Sequence, residues 1–312
     1  MMWDMKRAAK VVLSLLVVLP LLAAGAGTLL ASGMLHPMKR ALTPELVKQA
    51  DEALTRVSAQ REDFEVRASD GVVLRGWKVR PPNPGSDWVL LFHGVSDNRV
   101  GVMGHAEFLL RNGYNVLMMD ARAHGASDGD KATYGWLERH DVQAIAEALF
   151  RSEQVHCFFL LGESMGASIA LQAAAVEPRV AGVVAESAFA NLKEVSFDYA
   201  GLHVSHWLGR TIFRPASSLA LKGATKEGGF RAEDVSPEKA VAARPFPVLL
   251  ICGTRDNNVP PRHTKRIYEA ASGPKEMWLV PGAGHSAALG TAPQEFEQHV
   301  VKFFRGIHEQ KN

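Results

Sequence analysis

Along the chain a serine, an aspartate and a histidine each follow a short apolar run: Ser164 after "CFFLLG", Asp256 after "PVLLICGTR" and His285 after "EMWLVPGAG". A serine hydroxyl is a poor nucleophile near neutral pH. It needs a base within hydrogen-bond reach, and the base needs an acid to hold its tautomer. Ser164 stands in Gly162-x-Ser164-x-Gly166, the pattern of a nucleophile elbow, a sharp strand-to-helix turn that lifts the hydroxyl above the end of a sheet. The pentapeptide alone is weak evidence, with roughly 0.1 chance matches in a chain of this length. The order serine, aspartate, histidine, each at the end of an apolar run, strengthens it.

Such residues must be positioned by strands. "WVLLFH" (88–93), "NVLMMD" (115–120), "CFFLLG" (157–162), "VAGVVAE" (180–186), "PVLLIC" (247–252) and "EMWLVP" (276–281) alternate with helical stretches. Continuous apolar runs are the mark of strands buried on both faces, so the alternation predicts a mostly parallel sheet covered by helices. Ligands of open α/β sheets sit beyond the carboxyl ends of the strands, which is where the three residues fall. Ahead of these runs, "FEVRASDGVVLRGWKVRPP" alternates around Asp70-Gly71 as a β-hairpin does. About 60 residues separate Glu186 from Pro247, too many for an unstructured loop in a compact domain, and predict a small helical cap over about 190–240. Phe197, Tyr199, Trp207, Phe213 and Phe230 lie in it, with Arg210, Arg214 and Lys222 between them. Most of these aromatics would pack the insert onto the body, and a subset would line a pocket.

The chain has 312 residues, is 47% hydrophobic and carries a net charge of +2. Residues 1–40 hold five Lys or Arg against Asp4, a surplus of four, which leaves the rest at −2. Without a basic tract, nucleic acid is not an expected partner. Val11 to Leu35 is an uncharged run of 25 residues. As a helix it is about 37 Å long, enough to span a bilayer. Residues 1–40 are therefore expected to be an N-terminal transmembrane anchor, or a signal segment cleaved near Ala24-Gly25-Ala26. The anchor is favoured because apolar residues continue past Ala26. Lys6, Arg7 and Lys10 outnumber Lys39 and Arg40, which predicts an extracytoplasmic body, secreted or periplasmic if cleavage occurs. Residues 41–63 read as a polar, partly helical connector. Cys157 and Cys252 do not form a disulfide framework, and oligomeric state is not legible.

Over about residues 64–308 the sequence resembles the α/β-hydrolase superfamily. "FHGVSDNR" is similar to its oxyanion turn, "DARAHGASDG" to its Asp-x-Arg-Gly-His-Gly-x-Ser segment, and "GTRDNNVP" and "GAGHS" to its acid and histidine loops. "YGWLERHDV" resembles a stretch found in membrane-anchored esterase-like members and in the S33-type serine aminopeptidases. Ala123 departs from the family's usual glycine, in a structural loop. The resemblance implies an α/β-hydrolase fold with an eight-stranded sheet. It gives Ser164 the role of nucleophile, His285 of base and Asp256 of acid, with an oxyanion held by the backbone N–H groups of Val95 and Met165. Glu186 is the alternative acid, and His93, His124 and His140 are alternative bases. Asn98 and Arg99 would fix the oxyanion loop or touch substrate.

The implied activity is hydrolysis of carboxylic esters, such as acylglycerols, short acyl esters or thioesters, so that the partner is a small-molecule or lipid acyl substrate. An S33-type aminopeptidase is the alternative and would need a cap carboxylate for the substrate ammonium: Glu194, Asp198, Glu227, Glu233 or Asp234. A second alternative is a non-catalytic binding protein on the same fold. A dehalogenase or epoxide hydrolase of this fold would have aspartate at position 164. With no His-Glu-x-x-His pair, Cys-x-x-Cys cluster or phosphate loop, no cofactor and no metal are expected.

Overall fold

The structure is a computed structural model that describes residues 33–311. Its strands are β1 (Gln60–Arg67), β2 (Val73–Arg80), β3 (Trp88–Phe92), β4 (Asn115–Met119), β5 (Phe158–Glu163), β6 (Val180–Glu186), β7 (Val248–Gly253) and β8 (Lys275–Val280). They form one eight-stranded sheet in the order β1-β2-β4-β3-β5-β6-β7-β8. Strands β3 to β8 run parallel, and β2 is antiparallel to both its neighbours. The predicted hairpin is β1–β2, with Gly71 at φ 89° in its turn. That left-handed backbone is what a glycine accommodates without strain. Every residue of β3, β4, β6 and β7 is buried, as expected of strands covered on both faces.

The helices are α1 (Pro44–Arg56), α2 (Met103–Arg111), α3 (Glu138–Ser152), α4 (Met165–Val176), α5 (Leu192–Gly201), α6 (His206–Arg210), α7 (Arg214–Gly228), α8 (Pro237–Ala243), α9 (Arg262–Ala270), α10 (Ala288–Thr291) and α11 (Pro293–Lys311). Helices α1, α2 and α11 share one hydrophobic core on one face of the sheet. Helices α3, α4 and α9 share a second core on the other face. The expected connector is thus part of the domain. Pro44 opens α1 and the Thr43 hydroxyl caps it, while Ala50, Ala53 and Leu54, at helical spacing, enter the first core. Strand β1 starts at Gln60, ahead of the expected hairpin start at Phe64. The added residues, 60–63, are all polar and mostly exposed, so they lack the apolar alternation that marks a half-buried strand.

The insert between β6 and β7 folds as α5, α6, α7 and α8, and the first three with their loops form the cap. A third hydrophobic cluster holds it to the body through Phe189, Leu192, Val195, Leu221 and Val259. Leu35, only 1% exposed, belongs to this cluster. Its carbonyl accepts the Ala132 amide at 2.8 Å, and the Lys39 ammonium donates to the Gly129 carbonyl at 3.0 Å. Leu35 and Lys39, assigned from sequence to the N-terminal segment, are therefore held to the body of the domain. Hydropathy alone does not distinguish an apolar side chain bound for lipid from one bound for a protein core. The rest of that segment, with its anchor and signal readings, lies outside the described residues. Among the described residues no helix is long and apolar enough to cross a membrane.

Candidate active site

Ser164 sits between β5 and α4 at φ 53°, ψ −116°, a backbone conformation that L residues rarely adopt and that costs on the order of 1–3 kcal/mol. Its flanking glycines allow the turn. A Cβ on Gly162 would come within 2.5 Å of the Gly166 backbone, and one on Gly166 within 2.5 Å of the Phe92 carbonyl oxygen. The Ser164 amide donates to the Glu186 carbonyl at 2.8 Å, so the sheet ladder holds the turn from its β6 side.

The loops after β7 and β8 bring the other two residues to this hydroxyl. His285 Nε2 lies 2.8 Å from Ser164 Oγ, and its Nδ1 lies 3.0 and 2.9 Å from the two carboxylate oxygens of Asp256. Asp256 is buried, and its Oδ1 also accepts the Val259 amide at 2.8 Å. An acid that accepts from Nδ1–H leaves the Nε2 lone pair facing the serine, as a general base requires. Glu186, the alternative acid, is held elsewhere: its Oε1 accepts the Ala288 amide of α10 at 2.8 Å, and its Oε2 is 3.8 Å from His105 Nε2.

The alternative bases have other partners. His93 Nε2 accepts the Ala121 amide at 3.1 Å, so its proton is on Nδ1, which donates to the Gly94 carbonyl at 2.7 Å. Burial lowers its pKa below the usual histidine value. Burial, aided by the neighbouring His93, lowers that of His124 to about 4, and His124 Nδ1 meets the Arg122 carbonyl. His140 lies on α3 against Gln143. Asn98 and Arg99 fix the loop: Asn98 Oδ1 accepts the Val100 amide, and the Arg99 guanidinium pairs with Asp120 at 2.7 Å in a fully buried contact.

The Gly94 turn passes close to the nucleophile, since a Cβ on Gly94 would lie 3.9 Å from Ser164 Cβ. Val95 follows it, and Met165 opens α4, where the first-turn amides have no helical acceptor. Both residues border the same cavity as Ser164. Glu163, which the motif treats as a variable position, reaches the turn from below, with Oε1 3.7 Å from the Cβ position of Gly94. Burial raises its pKa to about 7, with His105 opposing the rise and Glu186 adding to it. Ala123 adopts φ 61°, which accounts for the glycine usual there.

Above Ser164 opens a cavity of about 320 Å³. Its apolar wall includes Met34, Tyr134, Phe189, Val195, Tyr199 and Ala220. Of the five aromatics within the predicted cap, residues 190–240, only Tyr199 borders it, while Phe197 is buried and Trp207 is exposed. None of the five cap carboxylates lines it. Glu194 pairs with Arg210, Glu227 with His36 and Asp234 with Arg231, and the Glu233 carbonyl accepts from Lys239. Asp198 is buried and bonds His263 at 2.8 Å and Arg262. Burial pushes its carboxyl up, but these two partners outweigh that and hold it below the usual value. Residues 34, 134 and 189 were not legible as pocket walls, because they come from three segments far apart in the sequence.

This sheet order, with a serine elbow and a histidine–aspartate pair at the carboxyl ends of its strands, is the architecture of an α/β-hydrolase. Residues 89–299 match the model of the Alpha/beta hydrolase family, and the chain belongs to that family. It is similar to the uncharacterized protein YqkD of Bacillus subtilis, at 27% identity over 80% of this chain and 81% of that protein. It is 31% identical to the uncharacterized protein Rv2307c of Mycobacterium tuberculosis, over 72% of each. Among solved structures it resembles the Pyrococcus furiosus esterase Pf2001, with a TM-score of 0.67 and 27% identity over 81% of this chain and 93% of that one. The family and this esterase neighbour make the protein a hydrolase.

Proposed function

We propose that the protein is a serine hydrolase that cleaves carboxylic esters through an acyl-enzyme. The observation that carries this is the continuous hydrogen-bonded chain Asp256–His285–Ser164 opening into an apolar cavity. Ser164 Oγ attacks the acyl carbonyl carbon while His285 Nε2 takes its proton. The developing oxyanion is held by the amides of Val95 and Met165, each donor contributing about 2.7–4 kcal/mol. The carbonyl re-forms as the alkoxide leaves with the proton from His285, and a water, deprotonated by the same ring, then releases the carboxylic acid and restores the serine.

The apolar wall suits an acyl chain, as in an acylglycerol, a simple acyl ester or a thioester. An aminopeptidase would need a carboxylate toward the substrate ammonium, and the five cap acids lie away from the cavity, four of them with their carboxylates paired. We place the catalytic body at a membrane, anchored by the N-terminal segment on its extracytoplasmic side. Support comes from the uncharged run of residues 11–32, ahead of the part that packs on the domain, and from Val204, Trp207 and Ile212, exposed on the cap that buries Leu35.

The test is a fluorophosphonate probe on the full-length chain, with Ser164→Ala beside it. Labelling of wild type alone is expected. An unlabelled, folded wild type excludes a serine hydrolase, and labelling that persists in Ser164→Ala identifies another serine. Turnover of p-nitrophenyl acyl esters over aminoacyl anilides is expected, and the reverse order would make it an aminopeptidase.

A further inference from the structure

Four side chains with metal-ligand chemistry converge at the end of the sheet opposite Ser164. Asp87 directly precedes β3, His156 and Cys157 directly precede β5, and His308 is in the last turn of α11. Strands β3 and β5 pair with Trp88 opposite Phe158, and the Trp88 amide donates to the Cys157 carbonyl at 2.9 Å. Parallel pairing therefore makes residues 87 and 157 neighbours, and the packing of α11 on the sheet adds His308. One potential ligand atom from each of Asp87, His156, Cys157 and His308 lies within 4.8 Å of the other three.

We propose that Asp87, His156, Cys157 and His308 form a structural zinc site. A thiolate, two imidazoles and a carboxylate complete a tetrahedral zinc shell with no position open to substrate. The thiolate and imidazoles disfavour magnesium and calcium, which take oxygen ligands. Zinc–ligand bonds of about 2.0–2.3 Å place tetrahedral neighbours on the order of 3.3–3.7 Å apart, so the atoms need to move by about an ångström. The cluster is already ordered. Asp87 Oδ1 accepts the Cys157 amide at 3.1 Å, Asp87 Oδ2 lies 2.8 Å from His308 Nδ1, and the two imidazole rings are 4.6 Å apart between centroids.

A second observation points to a ligand. His156 Nε2 is buried and has no hydrogen-bond partner among the described residues. Such a buried ring nitrogen calls for an explanation, and coordination to a metal is one. Burial, with the nearby Asp87, raises the Cys157 thiol to about 11, so near neutral pH the sulfur holds its proton. On zinc uptake the S–H bond breaks, the proton leaves to solvent and the Zn–S bond forms; Cys157 and Asp87 together balance the two charges of the ion. His308 is partly exposed, which leaves an entry path. The site would tie the final helix to the amino ends of two central strands. It lies roughly 20 Å from Ser164, the length of six strand residues at about 3.3 Å each, so it is separate from the hydrolase chemistry.

The test uses the full chain purified without a metal-affinity step, stripped with a chelator and titrated with zinc against a chromophoric competitor, then with cobalt. One equivalent of zinc is expected, with a rise in Tm on binding and a sulfur-to-cobalt charge-transfer band. Cys157→Ser and His308→Gln should each weaken zinc at least tenfold, and Cys157→Ser should abolish the band. Wild type that binds neither metal overturns the site irrespective of how the variants fold. Zinc binding that is unchanged in both variants, shown by circular dichroism to be folded, overturns it as well.

Discussion

The Tyr134 hydroxyl donates to the Met34 carbonyl across 2.7 Å, and both residues border the cavity above Ser164. The chain entering the domain is thus part of the pocket wall. Removing Leu35, which is buried between cap and body, should cost about 2–5 kcal/mol, as for other buried leucines. A protein that starts at residue 41 should melt at least roughly 4 °C below one that starts at residue 33. Calorimetry on the two truncations measures this, and equal Tm values would detach the segment from the fold.

The two candidate acids have different partners and should respond differently. Asp256→Asn leaves the shape of the site but favours the wrong imidazole tautomer, and kcat should fall by about 10⁴. Glu186→Gln touches the Ala288 amide and the His105 side, so kcat should change less than about tenfold while Tm falls. Steady-state kinetics with one ester decide, and equal losses would give Glu186 a share in the base.

Strand residues such as Phe158 to Leu161 were legible because a strand buried on both faces admits no polar side chain, and that leaves an unbroken apolar run. The positions of Ser164, Asp256 and His285 were legible for a related reason: each follows such a run in a glycine-containing turn. What escaped depends on contacts distant in sequence. The first residues of β1, 60–63, are polar and mostly exposed at the sheet edge, and Leu35 ends an uncharged run, so that a hydropathy window groups it with the residues before it rather than with the core it joins. Asp87, Cys157 and His308 have no local spacing in common. They meet only because the sheet order sets β3 beside β5 and α11 packs beneath them.

Glu163 should make both stability and rate depend on pH. Its pKa rises from an ordinary 4.5 to about 7 in the folded protein, first because of burial. Between these values the native state keeps a proton that the unfolded chain has released, so the slope of unfolding free energy with pH is negative there. The stabilisation is complete below 4.5 and is lost as pH rises through about 7. Ionised Glu163 would also place negative charge beside the oxyanion turn. Glu163→Gln should flatten the decline in Tm across this window and raise the alkaline limb of kcat relative to wild type. A variant whose Tm and rate profiles overlay those of wild type would remove Glu163 from both effects.

The cavity sets a limit on the acyl chain. Each methylene that leaves water for an apolar wall contributes about 0.8 kcal/mol, roughly fourfold in kcat/KM when the contact persists in the transition state. Across a series of p-nitrophenyl esters kcat/KM should climb by about that factor per carbon, then level off when the chain has filled the 320 Å³ available. Ala220 is a buried small residue of α7 at the cavity wall, and a larger side chain there takes volume directly from the substrate. Ala220→Leu should therefore move the plateau to shorter acyl chains while leaving kcat/KM for the acetyl ester within about twofold, because the triad lies outside its reach. A uniform loss at every chain length would mean that the substitution disturbs the cap as a whole, and a plateau that stays in place would mean that the acyl group follows another path.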